Sequence, residues 1–210
     1  AYKEMIREQA LKILEWDKTK KLFDIKGLEK NMQKNDYIFT DKKNVERKII
    51  LKGKLDRIEQ KDNSIFIVDY KTGSLKFPSN GKIESLEIAM SNNKFKDYFQ
   101  AGFYIYLYER INKEKADAGM FYVANQSALQ KVSDVKIKDN SPSKNEVADK
   151  QNTKEGKEQK DFISEFGNFL DNKLADIFDT SIRFGKTSEP KDCAYCPMTS
   201  LCYRESTTSW

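Results

Sequence analysis

Two runs of alternating character, about Lys48–Glu59 and Ser64–Lys71, constrain the fold of this chain more than any other feature. Between them stands Lys61-Asp62-Asn63-Ser64, a short polar turn signal, so the runs read as the two arms of a β-hairpin. Successive side chains on a strand point to opposite faces. Ile65, Ile67, Asp69 and Lys71 therefore share one face of the second arm, and Phe66, Val68 and Tyr70 share the other. An acid and a base thus stand side by side at the end of an otherwise apolar strand. Pairing Lys61 with Ser64 and counting outward brings Asp56 opposite Asp69 on the same face, with Cβ atoms roughly 4.5–5.5 Å apart. A turn with an odd number of residues would break that register.

Two carboxylates so close repel unless a cation lies between them. An oxygen-only pair suits Mg²⁺ or Mn²⁺, completed by water and phosphate oxygens. Lys71 beside such a cation is placed to orient or deprotonate an attacking water and to stabilise charge on a phosphate undergoing substitution. The competing reading is a set of salt bridges on a charged hairpin face, which an Asp-Asp-Lys trio also fits.

Composition narrows the chemistry. The 210 residues include no histidine, which excludes Ser-His-Asp and Cys-His triads within the chain and zinc sites of the H-E-x-x-H kind. Acid–base or metal chemistry here falls to carboxylates, lysine, tyrosine or cysteine. With 38 Lys and Arg against 33 Asp and Glu, the net charge of +5 permits contact with a polyanion without requiring it. A hydrophobic share of 38% beside 34% charged residues suits a single domain with its own core. No run of eighteen apolar residues forms a membrane span, and no apolar signal segment opens the sequence, so the expected location is the cytoplasm.

Elsewhere, helix is expected over residues 2–34, with Ile6, Ala10, Leu11, Ile13, Leu14 and Leu22 as a loose apolar stripe and Gly27 as a stop or turn. A short helix about Ile83–Met90 follows the hairpin, then the best helix of the chain over 95–111 and a strand over Gly119–Ala124. Asp139–Lys160 is nearly devoid of apolar residues and reads as a mobile polar loop. A last helix, about Asp161–Phe178, presents Phe162, Phe166, Phe169, Leu170, Leu174 and Ile177. The order helix, hairpin, helix, strand, helix gives a mixed α/β (α+β) domain.

Two further motifs carry chemistry. Gln100 and Tyr104 lie one turn apart on one helical face, with Tyr108 beyond them. A glutamine and a phenol so placed can reach a phosphate or brace catalytic groups, whereas Phe99, Phe103 and Leu107 read as core. The tail, Pro190–Trp210, holds Cys193, Cys196 and Cys202 in the spacing C-x₂-C-x₅-C. Clustered cysteines in a cytoplasmic chain suggest metal more than disulfide, yet three thiolates are one short of a closed zinc or [4Fe–4S] site. Three unbound thiols are the alternative.

Gly53-Lys54-Leu55-Asp56-Arg57-Ile58-Glu59 and Ile67-Val68-Asp69-Tyr70-Lys71-Thr72-Gly73 resemble the paired motifs of the PD-(D/E)xK nuclease superfamily, most nearly its RecB-like and AddB-like branch, over about residues 45–205. The resemblance implies a restriction-endonuclease-like core, a central mixed sheet flanked by helices. It implies that Asp56, Asp69 and the main-chain carbonyl of Tyr70 bind Mg²⁺ or Mn²⁺ and that Lys71 is catalytic. The Q-x-x-x-Y helix of that branch is matched at Gln100 and Tyr104. The implied activity is that of a DNA exonuclease domain in a bacterial, nucleoid-associated helicase–nuclease complex of double-strand-break repair and recombination, with an ATP-driven subunit as partner.

AddB-type domains place three cysteines after the core and one far upstream, together holding a [4Fe–4S] cluster. Here Cys193, Cys196 and Cys202, within residues 190–205, match the three, and the upstream one is absent from the sequence. An upstream helical motif, often histidine, is also unmatched; Glu15 and Glu29 are the substitutes on offer, neither in a matching motif. The expectation is a fragment of a longer chain, residues 1–210 forming one nuclease domain with its cluster missing or incomplete. Alternatives are a catalytically weakened DNA-binding module of the same fold, a free-standing CRISPR-associated-type exonuclease, and a structural domain.

Overall fold

A computed structural model describes residues 2–20, 22–78, 82–91, 95–122, 129–137, 154–183, 185–187, 193 and 196–203. In chain order these form α1 (Tyr2–Thr19), β1 (Asp24–Thr40), β2 (Glu46–Lys61), β3 (Ser64–Lys71), β4 (Lys82–Ile83), α2 (Leu86–Ser91), α3 (Lys96–Asn112), β5 (Ala116–Tyr122), β6 (Leu129–Lys131), a 3₁₀ turn, β7 (Lys136–Ile137) and α4 (Lys154–Phe178). None of the described helices is long and apolar enough to cross a membrane.

The hairpin forms as its residues dictate. β2 and β3 pair antiparallel from Lys61↔Ser64 to Arg57↔Val68, the register expected from the turn. Asp62, at the turn, has φ 54°, a left-handed conformation that Asp and Asn tolerate better than most residues. The main sheet has five strands in the order β1-β2-β3-β5-β6. Its pairings are antiparallel except β3–β5, which is parallel. A parallel pair needs a crossover, and α3 lies within it. The expected mixed sheet flanked by helices is therefore present.

The first strand departs from expectation. Residues 24–34 belong to β1 rather than to a helix extending from residue 2, and α1 ends at Thr19. The segment is rich in Lys, Glu, Gln and Met, which favour helix in isolation. Pairing with β2 along nearly its whole length overrides that preference. As an edge strand it buries few residues, Met32, Tyr37 and Phe39 among them. Two register shifts, between Ile25 and Gly27 and between Lys34 and Tyr37, blur its alternation, and Gly27 marks the first of these bulges rather than a helix stop.

α3 sits between the sheet and α4, which is why it is buried on several sides: Tyr98, Ala101, Tyr104, Ile105, Tyr106, Leu107 and Tyr108 are all in the core. Leu107 is fully buried as expected, and Phe99 and Phe103 pack at the core margin. α4 covers the outer side through Phe166 and Phe169, with Phe162 and Leu174 partly buried, while the expected Ile177 is exposed. The helix begins at Lys154, so residues 154–160, expected to be loop, are helical. Residues 139–153 of that expected loop lie outside the described residues, as do residues 123–124 of the expected strand.

The closeness of α3 and α4 depends on Gly102. A Cβ there would stand 2.9 Å from Phe166 Cε2 and 3.0 Å from Phe162 Cζ. Gly102→Val is therefore expected to destabilise the fold by about 1–3 kcal/mol through overpacking, read as a lower urea midpoint. An unchanged midpoint would show that the helices separate freely.

α1 covers the opposite face of the sheet. None of its residues is fully buried, and the expected stripe of Ile6, Leu11 and Leu14 points largely to solvent, as does Leu22 beyond the helix. Of the expected stripe, Ile13 makes the contact, together with Trp16, on Val68 and Phe121, with Trp16 stacked on Phe121 at 4.2 Å. That sheet face mixes apolar residues with Arg57 and Glu59, so an aromatic ring and polar partners dock where an aliphatic stripe would not. The short helix after the hairpin is Leu86–Ser91, and Ile83 belongs to β4, paired with β7.

Candidate active site

The site lies where β3 ends beneath α3. Leu51, Leu55 and Ile58 all join the core under that helix. A flat strand of period two cannot place both Leu55 and Ile58 on one face, so the alternation of β2 is interrupted at Asp56–Arg57. Across from it, between the pairs Leu28↔Arg57 and Lys30↔Leu55, Glu29 has φ 49°. The β2–β3 ladder stops at Arg57↔Val68. Beyond it the half-buried Asp56 takes over with its side chain: Oδ2 accepts the Tyr70 amide at 3.1 Å. The hairpin register thus brings Asp56 to the end of β3, but Asp56 engages the neighbouring strand through its carboxylate rather than as a ladder pair.

Asp69 is 4% exposed. Its Oδ2 lies 2.7 Å from Lys71 Nζ yet accepts no aligned hydrogen bond. Gln100, from α3, links the pair: Nε2 donates to Asp69 Oδ1 at 3.1 Å, and Oε1 accepts from Lys71 Nζ at 2.8 Å. Gln100 Nε2 also lies 2.6 Å from the Tyr104 hydroxyl. α3 comes this close because Gly53 lacks a side chain; a Cβ there would stand 3.0 Å from Leu107 Cδ2 and 3.5 Å from Tyr104 Cε1. Asp56, Asp69, Lys71, Gln100 and Tyr104 are therefore brought together. Tyr108, the next residue on that helical face, bonds Glu114 at 3.2 Å instead.

Burial pushes the Asp69 carboxyl above the ordinary carboxylate range; Lys71 pulls it back and the Asp56 carboxylate adds to the rise. The Tyr104 phenol is pushed up to about 12, first by burial, so it stays protonated near neutrality and can donate. A buried carboxylate oxygen without a hydrogen bond, beside a second carboxylate, fits a hard divalent cation. Among the described residues no group of three or more Cys, Asp or Glu side chains is arranged to hold a metal. Two carboxylates completed by water and phosphate is a donor set usual for Mg²⁺.

Some expected residues stand elsewhere. Glu15 is on α1 and Glu29 on β1, where Glu29 pairs with Lys54. No disulfide joins Cys193, Cys196 or Cys202, and the Cys196 amide bonds the Cys193 carbonyl in a turn. Sequence reasoning missed two buried polar centres. Asp97 accepts the Lys76 amide at 2.7 Å and pins the segment after β3 to the start of α3. Arg57 forms a network with Asp17, Glu59 and Tyr70 behind the site. Its signal was legible: Arg57 and Glu59 alternate on a face whose facing residues, Val68 and Phe66, are apolar.

A family model described as the PD-(D/E)XK nuclease superfamily fits residues 1–203. Searches of curated proteins and of solved structures find no match.

Proposed function

The chain belongs to the PD-(D/E)XK nuclease superfamily, and from that premise we propose that it is a Mg²⁺- or Mn²⁺-dependent deoxyribonuclease acting through Asp56, Asp69 and Lys71. The observation that carries the reading is Gln100, whose one carboxamide engages both Lys71 and Asp69. A surface salt-bridge set has no need of such a brace from a buried helix. Asp56, Asp69 and the main-chain carbonyl of Tyr70 would hold the cation. When bound, it supplies Lewis-acid stabilisation of phosphate charge and a lowered pKa for bound water. An ammonium has three donors. Lys71 donates one of them to Gln100 and stands against Asp69 as an ion pair, which leaves donor capacity for a phosphate oxygen or the attacking water. Gln100 and Tyr104 hold that arrangement and keep polar groups facing the substrate.

The paired motifs and the Gln100–Tyr104 helix favour the RecB-like and AddB-like branch. On that reading the enzyme is an exonuclease that degrades linear DNA in double-strand-break repair and recombination, beside an ATP-driven helicase–nuclease subunit. The cysteines would serve a [4Fe–4S] cluster in such a protein. The described residues do not assemble the four ligands it needs, so no step depends on it. Iron and sulfide analysis of anaerobically prepared protein tests the cluster; zinc without iron would reject it.

The activity is tested with end-labelled linear duplex and closed circular DNA, with Mg²⁺, Mn²⁺ or EDTA. The expected result is metal-dependent loss of the linear substrate and survival of the circle. DNA retained in a gel-shift assay but uncut under every condition would reject the enzyme and leave a binding module.

A further inference from the structure

We propose that Arg57 is a positioning residue for the carboxylate pair, acting through Tyr70 from the opposite face of the sheet. This rests on the reading of Asp56 and Asp69 as a cation-binding pair. Arg57 is 3% exposed. Its Nη1 donates to Asp17 Oδ2 of α1 at 2.8 Å and to the Tyr70 hydroxyl at 2.9 Å. Its Nε lies 2.7 Å from Glu59 Oε1, which also binds Lys20 at 2.7 Å. The Phe23 ring covers the guanidinium at 4.9 Å.

Each strand residue gripped here adjoins a site residue. Arg57 follows Asp56, and Tyr70 stands between Asp69 and Lys71. On β3, what fixes Tyr70 on one face fixes the backbone from which Asp69 and Lys71 project to the other, and on β2 what fixes Arg57 fixes the backbone next to Asp56. Backbone pairing stops one residue short of the carboxylates, at Arg57↔Val68. The Arg57–Tyr70 bond ties the two strands just beyond that point, and the Tyr70 amide is the donor that Asp56 accepts.

Stability alone is a poor reason for this network. Replacing a buried ion cluster by apolar residues is often neutral or stabilising, and here Arg57 Nη2 and Asp17 Oδ1 make no hydrogen bond. What the network delivers is a fixed distance between β2 and β3 where the cation pair sits, with α1 as its outer anchor through Asp17.

Amide hydrogen exchange by NMR on the whole, metal-free chain reads this without turnover, in Tyr70→Phe and in the milder Arg57→Lys. Tyr70→Phe removes one hydroxyl; Arg57→Lys keeps the charge and loses the planar fork. In both, exchange of the amide at position 70 is expected to speed up about tenfold, the effect of losing a hydrogen bond to a charged group. Ile67 and Met120 amides, in the fully buried sheet centre, should stay near wild-type rates. Mn²⁺ affinity, followed by electron paramagnetic resonance, should weaken by a similar factor. Unchanged exchange at position 70 in both variants overturns the inference. So does equal acceleration at all three amides, which would make Arg57 a stabilising residue only. Wild-type protein that binds no Mn²⁺ overturns the functional reading instead, and the amide at position 70 still decides this one.

Discussion

Lys71→Ala is expected to lower kcat for hydrolysis of linear DNA by about 10²–10⁴-fold, the range for removing a positioned acid–base group or charge stabiliser. KM for DNA should change little. Lys71 faces the Asp69 carboxylate at 2.7 Å and Gln100 at 2.8 Å, and on the proposed mechanism its ammonium would act on a reacting phosphate rather than along the length of the duplex. A lysine that merely attracted DNA would behave in the opposite way, raising KM and weakening the salt dependence of binding. Lys61→Ala supplies that comparison, since Lys61 is exposed at the hairpin tip. Lys71→Arg should restore little, because a guanidinium does not reproduce a compact ammonium held between a carboxylate and a carboxamide. A kcat for Lys71→Ala within about threefold of wild type would remove Lys71 from the mechanism.

The hairpin site was legible because three local signals agree. The polar turn fixed the register, period two put Asp69 and Lys71 on one face, and the i, i+4 spacing put Gln100 and Tyr104 on another. The structure brings those two faces together through contacts distant in sequence. The break at Asp56 was not legible. Uninterrupted alternation predicts a ladder pair between Asp56 and Asp69, and only the packing of Leu55 and Ile58 into one core shows that the strand must shift. β1 was misread for a related reason: an edge strand with few buried residues offers little pattern, and its stability comes from pairing with β2. α1 is the expected helix, but of its expected stripe only Ile13 packs inward, while Ile6, Leu11 and Leu14 are exposed. Its inward face is chosen by Arg57 and Glu59 on the sheet, which attract Asp17 and Lys20. An ion pair chosen by a partner element leaves no periodic trace in the helix that answers it.

Asp69, the proposed cation ligand, is buried, and without a cation that burial makes its charge a liability. Its folded-state pKa lies above the ordinary carboxylate value, chiefly through burial. Between those two values the unfolded chain has released the proton while the folded chain retains it, so stability falls as pH rises through that window. Above the folded-state value the loss is complete. Asp69→Asn keeps the shape and removes the charge, and Gln100 and solvent still serve Lys71, which is 24% exposed. In EDTA at pH 7 the variant should therefore melt above wild type, although it should not cut DNA. Cation reverses the order. A ligand at 100 times its Kd that binds only the folded state contributes about 2.7 kcal/mol, or roughly 5–10 °C in Tm for a chain of this size. Wild type should gain that increment from Mn²⁺, and Asp69→Asn should gain almost none. Equal gains in both proteins would place the cation away from Asp69. A lower Tm for the variant in EDTA would mean that the ion pair with Lys71 outweighs the burial of the charge.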